Sequence, residues 1–140
     1  MYKFLLCVLL VILLWPNFFY QEIHAEPDSY VIAYYFHGSA RCYSCNMLEK
    51  YSKEALEENF QDELASGRLV FKIVNVQGKA NNHFMRDYGL YSQSLVLSFI
   101  RDGKEQKFKN LTMIWQYARD RQRFINYVKD EINTYLKELS

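Results

Sequence analysis

Glycine and proline are scarce in this 140-residue chain, at five and two residues, and cysteine occurs three times. So little glycine and proline excludes a collagen-like repeat, and a half-hydrophobic composition excludes a disordered chain. Three cysteines cannot staple a disulfide-rich miniprotein, nor fill a four-thiolate zinc site. An excess of one charge is also missing: 17 basic side chains face 16 acidic ones, for a net charge of +1. Without a basic surplus to neutralise phosphates, nucleic-acid binding is excluded as the main activity. Aromatics, by contrast, are abundant. Twelve Tyr and ten Phe raise the apolar fraction, while Tyr keeps the mean hydropathy at −0.27. The length suits one domain with a real core.

The one long hydrophobic run lies at the N-terminus. Lys3 precedes an unbroken apolar stretch from Phe4 to Trp15, Pro16 and Asn17 interrupt it, and Ala25 is a small residue just before Glu26. This is the three-part layout of a secretory signal peptide over residues 1–25, leaving 26–140 as the folded domain. The alternative is an uncleaved anchor continuing through Phe18, Phe19 and Tyr20, near the short limit for a membrane span. Both readings export the domain. Membrane contact would come only through the uncleaved segment. Cys7 sits inside the apolar run as a small apolar residue, so the domain itself carries only Cys42 and Cys45.

From Glu26 onward, strand and helix patterns alternate. Tyr30–Phe36 is a β-branched and aromatic run suited to a strand buried on both faces. Residues 37–41 form a turn, and Cys42–Leu64 carries helical spacing in Leu48, Tyr51, Ala55, Phe60 and Leu64 before Gly67 stops it. Leu69–Val76 reads as a second strand, Asn81–Tyr88 as a short helix and Leu95–Ile100 as a third strand. Asp102-Gly103 is a hairpin signal that returns the segment near Glu105–Lys109 antiparallel. Leu111–Leu136 is helical with a break near Asp120, and Phe124, Ile125, Val128, Ile132, Tyr135 and Leu136 form its apolar stripe. The fold class is therefore α/β: a mixed four-stranded sheet flanked by helices.

The chemistry concentrates in Cys42-Tyr43-Ser44-Cys45, where a buried strand gives way to a long helix. Unpaired backbone N–H groups and the positive end of the helix dipole stabilise a thiolate at a helix start. Cys42, the first and exposed cysteine, is the nucleophile. Cys45, one turn on, is the resolving residue. Arg41 adds positive charge beside Cys42, Ser44 is either a donor to the thiolate or a solvated helix-start residue, and Tyr43 shapes the docking surface or is simply exposed. No cofactor is needed, because the cysteine pair carries the electrons. The competing readings are soft-metal or arsenical ligation by Cys42 and Cys45, and an inert structural disulfide. A structural zinc site lacks its ligands here, since His24, His37 and His83 are scattered.

The stretch Val31–Phe36 followed by Cys42-Tyr43-Ser44-Cys45 resembles the active-site strand and helix of thioredoxin-like proteins. So does Tyr88-Gly89-Leu90 followed by Leu95–Phe99 and Asp102-Gly103, and the resemblance covers about residues 30–136. Residues 34–42, with Val74-Asn75-Val76 and Lys109-Asn110-Leu111, are more narrowly similar to an exported bacterial group, the nitrophenyl-compound nitroreductase subunits associated with aromatic arsenical reduction. The resemblance implies a thioredoxin-like fold, a periplasmic thiol–disulfide oxidoreductase and a protein redox partner, soluble or membrane-associated. It also marks three departures. Ser94 stands where the family has a cis-proline facing the disulfide. Phe36 replaces the buried aspartate that accepts a proton, and Arg41 replaces a tryptophan. A dithiol specialised for a dedicated partner follows from these changes. His37 is either the substitute proton acceptor or a turn histidine bonded to backbone. The Arg119, Arg121 and Arg123 cluster is either a site for an acidic partner or a solvated helix surface.

Overall fold

The computed structural model describes residues 27–139, so the leader or anchor at 1–25 lies outside the described residues. Strand β1, Ser29–His37, is flanked on both sides. It pairs in parallel with β2, Leu69–Asn75, from Val31 opposite Leu69 to His37 opposite Asn75. On its other side it pairs antiparallel with β3, Ser94–Arg101, and Phe36 faces Ser94 across the ladder. Strand β4, Lys104–Asn110, closes the sheet in the order β2-β1-β3-β4. A central strand meets neighbours along both edges and packing on both faces. That is why β1 and β3 are almost continuously apolar.

The period of two divides β1 between two cores. Val31, Ala33 and Tyr35 point into the larger core, and Tyr34 and Phe36 into a smaller one with Phe84 and Tyr88. Helix α1, Tyr43–Asn59, covers the larger core with Cys45, Leu48, Ser52, Ala55 and Leu56. Helix α4, Arg121–Lys137, packs there too, and all six residues of its apolar stripe are buried. The smaller core is capped by the short α3, His83–Asp87. Strand, helical crossover and parallel strand, then an antiparallel hairpin and a terminal helix, make up the thioredoxin-like fold.

Two stretches depart from the sequence pattern. The helix expected over residues 42–64 breaks at Phe60, whose backbone leaves helical geometry as its ring enters the core, and a short α2, Gln61–Ala65, follows. Burial of an aromatic ring there outweighs helical continuity. The stretch after Leu111 begins as a 3₁₀ turn, Thr112–Trp115, and α4 starts only after Asp120, whose side chain accepts from the Arg123 N–H at 3.1 Å. The Asp102-Gly103 turn forms as its composition requires, both residues adopting positive φ, 51° and 71°. Within the arginine cluster, Arg121 binds Glu54 and Glu58 of α1 and Arg123 binds Asp120, while Arg119 is exposed. No helix among the described residues is long and apolar enough to cross a membrane.

Phe124 is fully buried and meets Tyr51 edge-on at 5.6 Å between ring centroids. Phe124→Ala should cost about 3–5 kcal/mol in chemical denaturation, whereas Met85→Ala, at a half-exposed site, should cost less than about 1 kcal/mol. Equal losses from the two would contradict this placement of the core.

Candidate functional site

Cys42 is the N-cap of α1, extended at φ −88° and ψ 167°, and its Sγ accepts the backbone N–H of Cys45 at 3.1 Å. Its carbonyl accepts from the Asn46 N–H at 3.1 Å. A cysteine therefore takes the capping role usually played by Ser or Asp, and its sulfur meets an N–H that a thiolate would hold more strongly. Cys42 and Cys45 form a disulfide with Cα atoms 5.0 Å apart. The two sulfurs differ in access, because Cys42 is exposed and Cys45 is only 3% exposed. An incoming thiolate meets Cys42 first.

Beneath the second cysteine sits a residue that the Cys-x-x-Cys spacing does not reveal. Tyr35, fully buried, donates its hydroxyl to the Cys45 carbonyl at 2.7 Å. Burial pushes the phenol above its ordinary range. The Glu49 carboxylate pushes it further, and Arg41 partly opposes that. Its signal was the strand period: Tyr35 shares a face with Val31 and Ala33, the face that receives α1, while Phe36 points the other way. The polar contact under the dithiol helix is thus a neutral hydroxyl.

His37 bonds through Nδ1 to the Gly38 carbonyl at 2.8 Å, and its ring lies 6.4 Å from that of Tyr35. Arg41 is paired with Glu49 across the first two turns of α1. Ser44 and Tyr43 are both exposed, Tyr43 at 81%, and neither caps the helix. The turn leading to Cys42 is tied to the end of β2. The Asn75 side chain donates to Ser39 Oγ at 3.0 Å, and the Ser39 N–H donates to Gln77 Oε1 at 3.0 Å. The Gln77 N–H in turn donates to Asn75 Oδ1 at 3.0 Å. Val-Asn-Val and Gln-Gly in this stretch marked only a strand end in the sequence.

Ser94 opens β3 beside Phe36, at the sheet end from which the Cys42 turn departs. It is buried and donates Oγ to the Ser92 carbonyl at 3.0 Å, and no described peptide bond is cis. The preceding loop is held from outside by Trp115, whose Nε1 donates to the Gln93 carbonyl at 2.9 Å. A groove beside this loop is lined by His37, Gly38, Gln77, Met85, Tyr91 and Gln93, and Tyr91 is 98% exposed. No group of three or more metal-ligating side chains occurs among the described residues.

Neither the protein-family models nor the curated proteins include a match to this chain. Among solved structures it is similar to the N21Q mutant thioredoxin of Halobacterium salinarum, at 20% identity and TM-score 0.43, over 79% of this chain and 78% of that one. It is also similar to Fasciola hepatica thioredoxin, at 18% identity and TM-score 0.40, over 68% and 81% of the two chains. Schistosoma mansoni thioredoxin pre-protein aligns at 16% identity and TM-score 0.40, over 69% and 81%. The strand order, the parallel crossover and the position of the disulfide at the start of α1 carry the fold assignment.

Tyr35→Phe deletes the bond to the Cys45 carbonyl and should cost about 1–2 kcal/mol of stability near neutral pH. Its raised phenol also carries a pH signature. A folded-state value above the unfolded one gives stability that is complete below about pH 10 and is lost as pH rises through that range. Burial and the bond to Glu105 raise Tyr88 in the same direction. Denaturation midpoints should fall above about pH 10, less steeply in Tyr35→Phe. An identical alkaline slope in wild type and variant would contradict this.

Proposed function

We propose that this chain is a thiol–disulfide oxidoreductase working through Cys42 and Cys45. The observation that carries the reading is the unequal access of two bonded cysteines at the start of a long helix, Cys42 exposed at the N-cap and Cys45 buried behind it. In the oxidised form, a partner thiolate attacks Cys42 Sγ, the Cys42–Cys45 bond breaks, and its electron pair leaves on Cys45 as a thiolate that takes a proton. A second partner thiolate then attacks the mixed disulfide and releases Cys42. The partner leaves as a disulfide, and two electrons have entered the pair. In reverse, the Cys42 thiolate attacks a partner disulfide, and Cys45, once deprotonated, displaces the partner.

The Cys45 N–H that Cys42 accepts lowers the cost of a thiolate at Cys42 in both directions. The Tyr35 hydroxyl and the Ser39–Asn75–Gln77 bonds fix the backbone on either side of the pair. The cysteine pair is the whole redox group, with no separate cofactor. The partner is a dedicated protein, with Ser94 and the Trp115-held loop forming a docking edge unlike a cis-proline one. On the sequence resemblance at residues 34–42, 74–76 and 109–111, that partner belongs to an exported nitroaromatic- or aromatic-arsenical-reducing system, with this domain in the periplasm.

Cys45→Ala removes the resolving thiol and should trap the partner on Cys42 as a mixed disulfide, visible as a reductant-sensitive mass increase after thiol quenching. Cys42→Ser should trap nothing. If Cys45→Ala captures no adduct, and the reduced wild type instead binds one equivalent of a trivalent arsenical with no turnover, the pair is a binding module.

A further inference from the structure

The Arg41 guanidinium precedes the nucleophile in sequence yet is spent on another group. It pairs with Glu49, and the two side chains are only 29% and 26% exposed. Glu49 lies four residues beyond Cys45, on the same face of α1, and helical side chains lean toward the N-terminus. The pair therefore runs along the helix start, from the residue before Cys42 past the turn that holds Cys45. The Tyr35 hydroxyl, on the Cys45 carbonyl, lies within the field of both Glu49 and Arg41. Around the dithiol, Tyr35 is a buried phenol, His37 bonds to a backbone carbonyl, and Tyr43 and Ser44 are exposed.

We infer that Glu49 is a positioning residue that sets the reactivity of Cys42 by neutralising Arg41. This deepens the redox reading and rests on Cys42 as the attacking thiol. With the pair intact, Cys42 feels the helix N-terminus and little net side-chain charge. With Glu49 removed, Arg41 stands unopposed one residue before Cys42 and the thiolate gains stability. With Arg41 removed, Glu49 stands unopposed and the thiolate loses it. The pair thus holds the dithiol at a less oxidising potential than its Arg-Cys sequence suggests, because a more stable thiolate makes the disulfide a stronger oxidant.

The test is a double-mutant cycle on the full chain, reduced beforehand. It reads the pH dependence of Cys42 alkylation by peptide mass spectrometry, so that Cys7 and Cys45 are followed separately. In Glu49→Gln the Cys42 pKa should fall by about half a unit to one unit, and in Arg41→Gln it should rise by a similar amount. In the double variant it should return close to wild type. The equilibrium with glutathione should shift about threefold to tenfold toward the reduced dithiol in Glu49→Gln, about 15–30 mV. If the ion pair only braces the helix, both single variants lose thermal stability while the Cys42 pKa stays put, and the inference fails. Alkylation needs no partner, so a failed partner capture with an intact cycle would overturn the redox reading alone. An unmoved pKa with successful capture would overturn only the role of Glu49.

Discussion

The site depends on one capping contact: the first cysteine's sulfur receiving the backbone N–H of the second at the open end of α1. A helix start has N–H groups with no partner inside the helix, and something must meet them. Here the group that meets one is the exposed sulfur of the cysteine pair. The contact ties helix geometry to sulfur chemistry, since the turn that satisfies the N–H also brings the two cysteines within bonding reach. It also requires that β1 end where it does, that the turn through Ser39 and Arg41 be held, and that α1 be anchored below by Tyr35.

Where the thioredoxin-like pattern is altered, other contacts occupy the vacated positions. The loop before β3 has no cis-proline to fix it. Ser94 bonds back to Ser92 from within, and Trp115 grips the Gln93 carbonyl from the 3₁₀ turn after β4. The position expected to hold a buried acid is Phe36, which packs with Phe84 and Tyr88 in the smaller core, ring centroids 5.1 and 5.6 Å away. Polarity moves one residue back, to Tyr35, and onto the opposite face of the strand. A neutral phenol donates without taking a proton. Arg41 and Glu49 pair near the start of the same helix, at the solvent margin, without burying an ion.

Much of this was legible in the sequence, for physical reasons that differ by element. The β-branched and aromatic run at residues 30–36 can only be a two-sided strand. Asp102-Gly103 encodes its turn through two positive φ angles, and the α4 stripe at Phe124, Ile125, Val128, Ile132, Tyr135 and Leu136 carries its own period. Cys42 and Cys45 announce themselves by spacing and by their place after a strand. The contacts between distant segments were not legible. Trp115 and Gln93 meet because two loops converge, and nothing local to either residue says so. Asn75 and Ser39 are joined only through the parallel register of β1 and β2. The break at Phe60 came from core packing overriding a pattern that was locally helical. Glu49 lies four residues beyond Cys45, but that spacing does not show that it meets Arg41.

A working redox couple at Cys42–Cys45 differs from a structural staple in its potential. The most direct measurement is an equilibrium titration of the pair against glutathione or dithiol buffers of defined potential, read by mass after acid quenching. A reversible two-electron transition within about −270 to −120 mV is the result predicted. A bond that stays oxidised in buffers poised below about −300 mV, the behaviour of a structural disulfide, would contradict the redox reading.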